Sequence, residues 1–488
     1  MKVLLVTGRL AEGLVKESAQ GFDQDADVLA LDTDVAAFIT PEMLLRADPK
    51  GYDLILVPGA VTTDFSWAEE ILGSRIRLGP KHSADLGFVL KHLGDAELSR
   101  TIPACVLMEK SMARNALSHI DAIEARAKPA LTIRGIKVGG ESRMKVLAEV
   151  VDAPRLSPER LAEKVRYFQD QGADMVDLGL PLDCAPQDVA KAVKTAREAT
   201  DLPLSVDTVL PELILEGLTA GVDMVLSLNG KNIPMVGKAV ASCGVPAVII
   251  PGPGSLEENL EAAEALGIKV IADPVLNPPL QGLAASMEGY TELRSRRPQI
   301  PLFFGVGNVT ELIDADSAGA NALLAALGAE VSASILFTPE YSEKARGSVR
   351  ELKIASEMML LAKERRTPPK DLGLDLLVLK EKRRKVLPPS LKPQRSLEAS
   401  YDHAWQEDPA GSFEILLDGE KILARGCGTQ VKGISARDIL NTLIDMGMVT
   451  RLDHVGYLGQ ELEKAEIALA LGRSYVQDEP LFPGKVLK

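Results

Sequence analysis

Between Met144 and Pro339 short apolar runs alternate with amphipathic stretches eight times, and this periodicity limits the available folds more than any other feature. The runs begin near Met144, Asp174, Pro203, Met224, Pro246, Lys269, Pro301 and Val331. They are continuously apolar, as expected of strands covered on both faces. Helix-like segments follow them, such as Ser157 to Gln171, Gln187 to Ala199, Leu256 to Leu266 and Tyr341 to Lys363. Ser157 followed by Pro158 and Glu159 reads as an N-cap with proline at the first helical position. Eight strand and helix pairs in roughly 220 residues predict a closed (β/α)₈ barrel. An open doubly wound sheet is the competing arrangement.

A chain of 488 residues exceeds one core, and the barrel is expected to carry flanking domains. Residues 1–125 hold the runs Lys2-VLLVTG, Ala26-DVLALD, Tyr52-DLILVPGA, Arg75-IRLGP and Pro103-ACVLM, read as parallel strands of an open α/β domain. Gly8 and Gly59 stand at strand ends, where ligands usually sit in such sheets. With no GxGxxG and no P-loop, turns closing a structural or docking domain are the preferred reading. Residues 126–365 form the barrel, and a Gly-punctuated hairpin at its entry is expected to plug its amino-terminal end. Residues 366–395 read as a basic, proline-rich, solvated linker with one embedded strand. Residues 396–488 read as a small α+β domain, with a hairpin turning at Asp418-Gly419 and helices from Ser435 to Met446 and Gln460 to Leu471.

Composition narrows the function. A net charge of -14 and an aromatic share of 4% argue against a nucleic-acid partner. Cys105, Cys184, Cys243 and Cys427 are scattered, which suggests neither disulfides nor zinc and fits a cytoplasmic protein. No apolar run approaches a membrane span.

Strand ends share one mouth in a closed barrel. Asp207 closes the third strand, Asn229 the fourth, Asp273 the sixth and Asn308 the seventh, with Asp177 on the second. Helix capping by Asp207 or Asn308, and turn chemistry at Asn229-Gly230 and Asp273-Pro274, compete with a ligand role. The five His all lie outside the barrel segment, so neither a histidine base nor a Ser/His/Asp set is available there. Acceptors dominate, and a carboxylate takes two parallel bonds from a ring N–H and an exocyclic amine. A flat, amidine-bearing heterocycle matches this surface.

The order VDLG, SVDT, LSLN, ADP and GxGN resembles the pterin-binding barrels, which include dihydropteroate synthases and methyltetrahydrofolate methyltransferases. The whole chain, with its amino-terminal domain and a carboxyl-terminal module containing YLGQEL, resembles the dihydropteroate synthase-related proteins of archaea and methylotrophic bacteria that use methanopterin-type cofactors. The resemblance implies a pterin held by Asp207, Asn229 and Asp273, with Asp177 near the mouth. It implies a transferase that joins a hydroxymethyl-dihydropterin pyrophosphate to an arylamine, with Mg²⁺ accompanying the pyrophosphate. Departures stand beside it. Gly307, Asn308 and Val309 replace a Ser-Arg-Lys, and Ser334-ILFTPE replaces an Arg-His pair. Arg155, Lys231, Lys344 and Arg346 are the nearest basic substitutes, and an arylamine phosphate without a carboxylate would suit the change. Glu149 and Asn308 fit the methyltransferases better, so methyl transfer with a separate corrinoid protein is an alternative, because the chain lacks a cobalamin signature. A non-catalytic pterin-binding or assembly protein is another alternative. The catalytic residues, any resident metal and a homo-oligomeric state stay open.

Overall fold

The computed structural model describes residues 1–20, 26–94, 97–381, 395, 397–399 and 406–482. They fall into two compact units, Met1–Arg383 and Arg384–Lys488.

The first unit opens with β1 (Val3–Gly8), α1 (Glu12–Ala19), β2 (Ala26–Leu31), α2 (Pro41–Ala47), β3 (Leu54–Val57), α3 (Ser66–Leu72), β4 (Arg75–Leu78) and α4 (Leu86–Lys91). The strands form a parallel sheet in the order β2-β1-β3-β4. Strand period splits each apolar run between two cores. Val3, Leu5, Leu54 and Leu56 enter one, whereas Leu4, Val6, Ile55 and Val57 enter the other.

The expected fifth strand, Pro103-ACVLM, is instead helical, forming α5 (Ala104–Leu107) ahead of α6 (Glu109–Arg126). Ala104, Met108, Met112, Ala116 and Ile120 are all buried at a spacing of four. A five-residue apolar window cannot show that period, and the longer stretch does.

The entry hairpin pairs β5 (Leu131–Ile133) with β6 (Ile136–Val138) through Arg134 and Gly135, both at positive φ as a type I′ turn requires. Ile133 and Val138 pack on Leu147, Met175, Met224, Val248, Ile271 and Ile335, which fills the barrel's lower interior.

The barrel comprises β7 (Lys145–Val150), α7 (Pro158–Asp170), β8 (Met175–Gly179), α8 (Pro186–Ala199), β9 (Leu204–Asp207), α9 (Pro211–Ala220), β10 (Met224–Leu228) and α10 (Ile233–Cys243). It continues through β11 (Ala247–Ile249), α11 (Leu256–Ala265), β12 (Val270–Ala272), α12 (Leu283–Arg296), β13 (Phe303–Gly305), α13 (Gly307–Thr310), α14 (Ser317–Glu330), β14 (Ile335–Thr338) and α15 (Ser348–Arg365). Eight parallel strands run in the order β12-β11-β10-β9-β8-β7-β14-β13. A parallel bridge between Ala272 and Leu302 joins the two ends and closes the sheet. The expected (β/α)₈ architecture is therefore present. The Ser157 hydroxyl accepts from Arg160 N, as its capping role requires. Two boundaries differ from expectation. Ser332 at φ +55 turns the chain after α14 and delays β14 to Ile335, and Gly347 at φ +93 delays α15 to Ser348.

Residues 366–381 form no strand, and Leu372, Leu374 and Leu376 pack against the barrel core. The basic run at 382–394, expected as a solvated linker, lies outside the described residues.

In the second unit, β15 (Glu414–Asp418), β16 (Lys421–Gly426) and β17 (Thr429–Gly433) form an antiparallel sheet covered by α16 (Ala436–Asp445) and α17 (Leu452–Leu471). The hairpin turns at Gly419, with φ +56, and a third strand joins it. Buried Asp408 accepts hydrogen bonds from Ala410 N, Thr450 N, the Thr450 hydroxyl and Arg451 N, and it also meets His454 Nδ1 at 2.9 Å. His454 is thereby engaged in holding this unit together.

A buried ionic network ties the barrel's foot. Arg143 bonds Asp174 at 2.5 Å and the Ser356 hydroxyl at 2.7 Å, while Asp174 also accepts from Val146 N. Lys145 pairs with Glu124 of α6. Removing one partner of such a pair strands a buried charge. Asp174→Ala is expected to cost about 3–5 kcal/mol, read as a lower urea midpoint. An unchanged midpoint would show that the network contributes little.

Candidate functional site

Strand alternation sends Val146, Ala148, Val150, Val176 and Leu178 outward to the helices. The residues between them point into the barrel. The lower interior is apolar, but toward the carboxyl ends the inward residues become Glu149, Asp177, Ser205 and Asp207. Register places Glu149 beside Asp177 and Asp177 beside Ser205.

Asp177 is fully buried. Its Oδ1 accepts the Ser205 hydroxyl, and its Oδ2 has no hydrogen-bond partner among the described residues. Glu149 lies over Gly179, where a Cβ would stand 2.3 Å from its Oε1. A side chain at position 179 would displace that carboxyl.

Asp207 accepts the Ser227 hydroxyl at 2.5 Å. Ser227 has φ +68, within the register shift between β10 and β11. A bulge of this kind re-aims a side chain at the cost of local strain. Buried Asn232 holds it, because Nδ2 donates to Val209 O and Ser227 O while Oδ1 accepts from Asn229 N.

Asp273 is buried, and its Oδ1 accepts from Val275 N at 2.8 Å. The Tyr290 hydroxyl stands 2.9 Å both from Asp273 Oδ1 and from Phe303 O. One phenolic hydrogen faces two acceptors, and a proton on Asp273 satisfies both contacts.

The other expected residues occupy the rim. The Asn229 side-chain oxygen accepts from Lys231 N, and its main-chain carbonyl accepts from Asn232 N and Ile233 N to begin α10. Its turn chemistry is thus realised, leaving the amide NH₂ for other work. Asn308 is exposed on α13 and donates to Leu276 O at 2.8 Å, so its side chain does not cap that helix. Arg155 pairs with Asp152 and Asp183, which joins the loops after β7 and β8. Lys344 pairs with Asp314, and Lys231 is exposed.

Arg346 lines a cavity of about 530 Å³ that also contains Glu149. Two cations that sequence reading passed over, Arg160 and Lys164, join it from α7. Their spacing of four on the helix after the first strand was the available signal. Burial lowers the Lys164 pKa, and its ammonium stands 4.4 Å from the Phe168 ring centroid. Glu163, Glu340 and Glu343 also line the cavity, and Glu340 is held by the Tyr167 hydroxyl and Val349 N.

The four interior carboxylates have no ion-pair partner among the described residues, and each prefers its proton more than usual. Burial, then Asp207 and Asp152, pushes Glu149 up to about 7. Burial, then Asp207 and Glu149, raises Asp177 well above the ordinary range. Burial raises Asp207 despite the Ser227 bond, and burial raises Asp273 to about 6. Crowded acids of this kind accept hydrogen bonds when ionised and donate them when protonated. Among the described residues, no group of three or more His, Cys, Asp or Glu is placed to hold a metal ion.

A family model described as "Pterin binding enzyme" matches residues 149–264, and one described as PterinBD-DUF4346 matches residues 407–478. The uncharacterized protein MJ0107 of Methanocaldococcus jannaschii is 35% identical over 528 aligned positions, covering 99% of each chain. The chain belongs to that protein's family, and its barrel carries the pterin-binding match. A Yersinia pestis dihydropteroate synthase with a sulfonamide drug complex is 19% identical, with a TM-score of 0.40 over 49% of this chain and 99% of the other. A Coxiella burnetii dihydropteroate synthase in complex with pteroic acid is 16% identical, with a TM-score of 0.38 over 47% and 98%. The pterin-binding match in this family member includes Glu149, Arg155, Asp177, Asp207, Asn229 and Lys231, whereas Asp273, Asn308 and Arg346 lie beyond it. Among the described residues no helix is long and apolar enough to cross a membrane.

Two outcomes follow from the geometry. An acid whose folded pKa is raised stabilises the fold relative to its ionised form at low pH, and that stability is lost as pH rises from the unfolded value through the folded one. The thermal midpoint of Asp177→Asn minus that of wild type should therefore increase between pH 4 and pH 8, and a pH-independent difference would contradict the buried-acid account. Asn232→Ala strands the groups it bridges and should cost about 1–3 kcal/mol, measured by chemical denaturation.

Proposed function

We propose that the barrel binds a pterin and condenses a hydroxymethyl-dihydropterin pyrophosphate with an arylamine. The supporting observation is a juxtaposition. Acceptors without a paired cation among the described residues (Asp177, Asp207, Asp273) stand at the upper ends of the barrel strands, and Glu149, the register partner of Asp177, also lines a cavity with the cations Arg160, Lys164 and Arg346. The first surface suits the donor edge of a reduced pterin, whose amidine N–H groups meet carboxylate oxygens in pairs. The second suits a pyrophosphate.

In this reading Asp207 and Asp273 orient the ring, with the amide NH₂ of Asn229 as a donor at its edge. The amine nitrogen bonds to the exocyclic methylene as the carbon–oxygen bond to pyrophosphate breaks, and the amine's proton leaves to solvent. The barrel's contribution is positioning and charge stabilisation. The cavity's carboxylates beside its cations suit Mg²⁺ carried with pyrophosphate, which would neutralise the leaving group; Mg²⁺ takes one or two carboxylates together with phosphate oxygens. Asn308 is tied to Leu276 O, which weighs against the methyl-transfer alternative that needs its amide over the pterin.

Purified protein should release pyrophosphate from the pterin pyrophosphate in the presence of 4-aminobenzoate or an aminobenzene ribofuranosyl phosphate. Asp207→Asn should lower kcat/KM on the order of 100-fold, about 2.7 kcal/mol, and Arg346→Ala should mainly raise KM. Pterin binding without pyrophosphate release from either amine would overturn the synthase reading and leave a binding protein.

A further inference from the structure

The amino-terminal sheet carries a cleft that the barrel's chemistry does not use. In the order β2-β1-β3-β4 the chain leaves β1 toward β2 on one side and returns to β3 on the other. Ligands of open parallel sheets bind outside the strands' carboxyl ends at such a switch point. A cavity of about 430 Å³ lies there, lined by Thr7 of β1, Val57 at the end of β3 and Pro58 after it, and Lys81 and His82 after β4. That volume is in the range of small-molecule sites.

The lid comes from the barrel. Arg365, Arg366 and Thr367, at the end of α15, line the same cavity. Two ion pairs fix them over it, Arg365 with buried Asp85 at 3.0 Å and Lys81 with Asp371 at 3.4 Å. The Thr367 hydroxyl is buried and has no hydrogen-bond partner among the described residues. α15 begins beside the barrel mouth, where Val349 N bonds Glu340. Its 18 residues span about 27 Å, so the cleft lies at the opposite end of that helix from the pterin site.

Polarity and charge define the occupant. Backbone N–H groups that would cradle a polyphosphate are spent, since Arg9 N and Leu10 N donate to Thr33 O and Asp34 O, and Gly59 N donates to Pro80 O. Gly8 and Gly59 are explained by packing, because a Cβ on either would stand 2.8 Å or less from neighbouring backbone. Arg365 and Lys81 each face one acid, which leaves Arg366 as the cation without an ion pair among the described residues. His82 Nδ1 accepts from Ala84 N, so Nε2 is the ring's donor. Apart from Ser83 the remaining walls are apolar, with Leu5, Val15, Leu56 and Leu86 among them.

We propose that this cleft is a second ligand site, for a small organic monoanion with an apolar or aromatic body, its charge met by Arg366 and its polar edge by Thr367. Full-length protein titrated with 8-anilinonaphthalene-1-sulfonate should bind one dye per chain with a fluorescence rise. Ala11→Trp, which fills the cleft from a half-buried wall position, and Arg366→Glu, at an exposed position, should each weaken that binding about ten-fold or more. Circular dichroism confirms that each variant is folded, and if the Trp variant is not, Arg366→Glu supplies the reading alone. Absence of stoichiometric binding, or unchanged binding by the folded variants, would overturn the proposal. A binding loss produced instead by Asp207→Asn would place the dye in the barrel mouth and overturn it equally.

Discussion

Closure of the parallel sheet is the constraint on which the rest of this molecule depends. Once Ala272 bridges Leu302, every inward side chain must share one enclosed space, and every strand's carboxyl end must open on one mouth. The entry hairpin resolves the lower half by driving Ile133 and Val138 into it. The upper half is left to Glu149, Asp177, Asp207 and Asp273. Carboxylates that would cost little on a surface therefore become crowded acids in a site with little water to share.

That crowding links stability to function. A buried carboxyl oxygen without a partner among the described residues, as at Asp177, and a serine held at φ +68, as at Ser227, oppose folding. They persist because surrounding contacts overdetermine them: Ser205 beside Asp177, and Asn232 behind Ser227. Strain and raised pKa values concentrated in one place support the proposed ligand site. A pterin edge, rich in N–H donors, would replace repulsion between acids with hydrogen bonds.

Much of this was legible in the chain because it rests on local rules. Continuous apolar runs recurring eight times announce a parallel barrel, and polar residues at run ends announce its mouth. The run at Pro103 misled because five apolar residues fit either period, and the helical one shows only when Met112 and Ile120 are counted. Arg160 and Lys164 were invisible as site residues because an amphipathic helix normally turns such groups to solvent. They line the cavity beside Glu149 only because α7 packs next to the loop carrying Arg346. Ser227 was missed because a bulge changes the inward and outward count on which strand reading depends.

Sequence by itself determined the barrel's alternation of strands and helices and the identities of the acids at the strand ends, since propensity and hydrophobic period act over a few residues. Tertiary structure alone decided which acids face one another, which amides are spent on turns and where the cations converge. Those outcomes depend on register, on the bulge at Ser227 and on helix packing across more than a hundred residues. Short-range rules cannot fix distances between groups that only the closed sheet brings together.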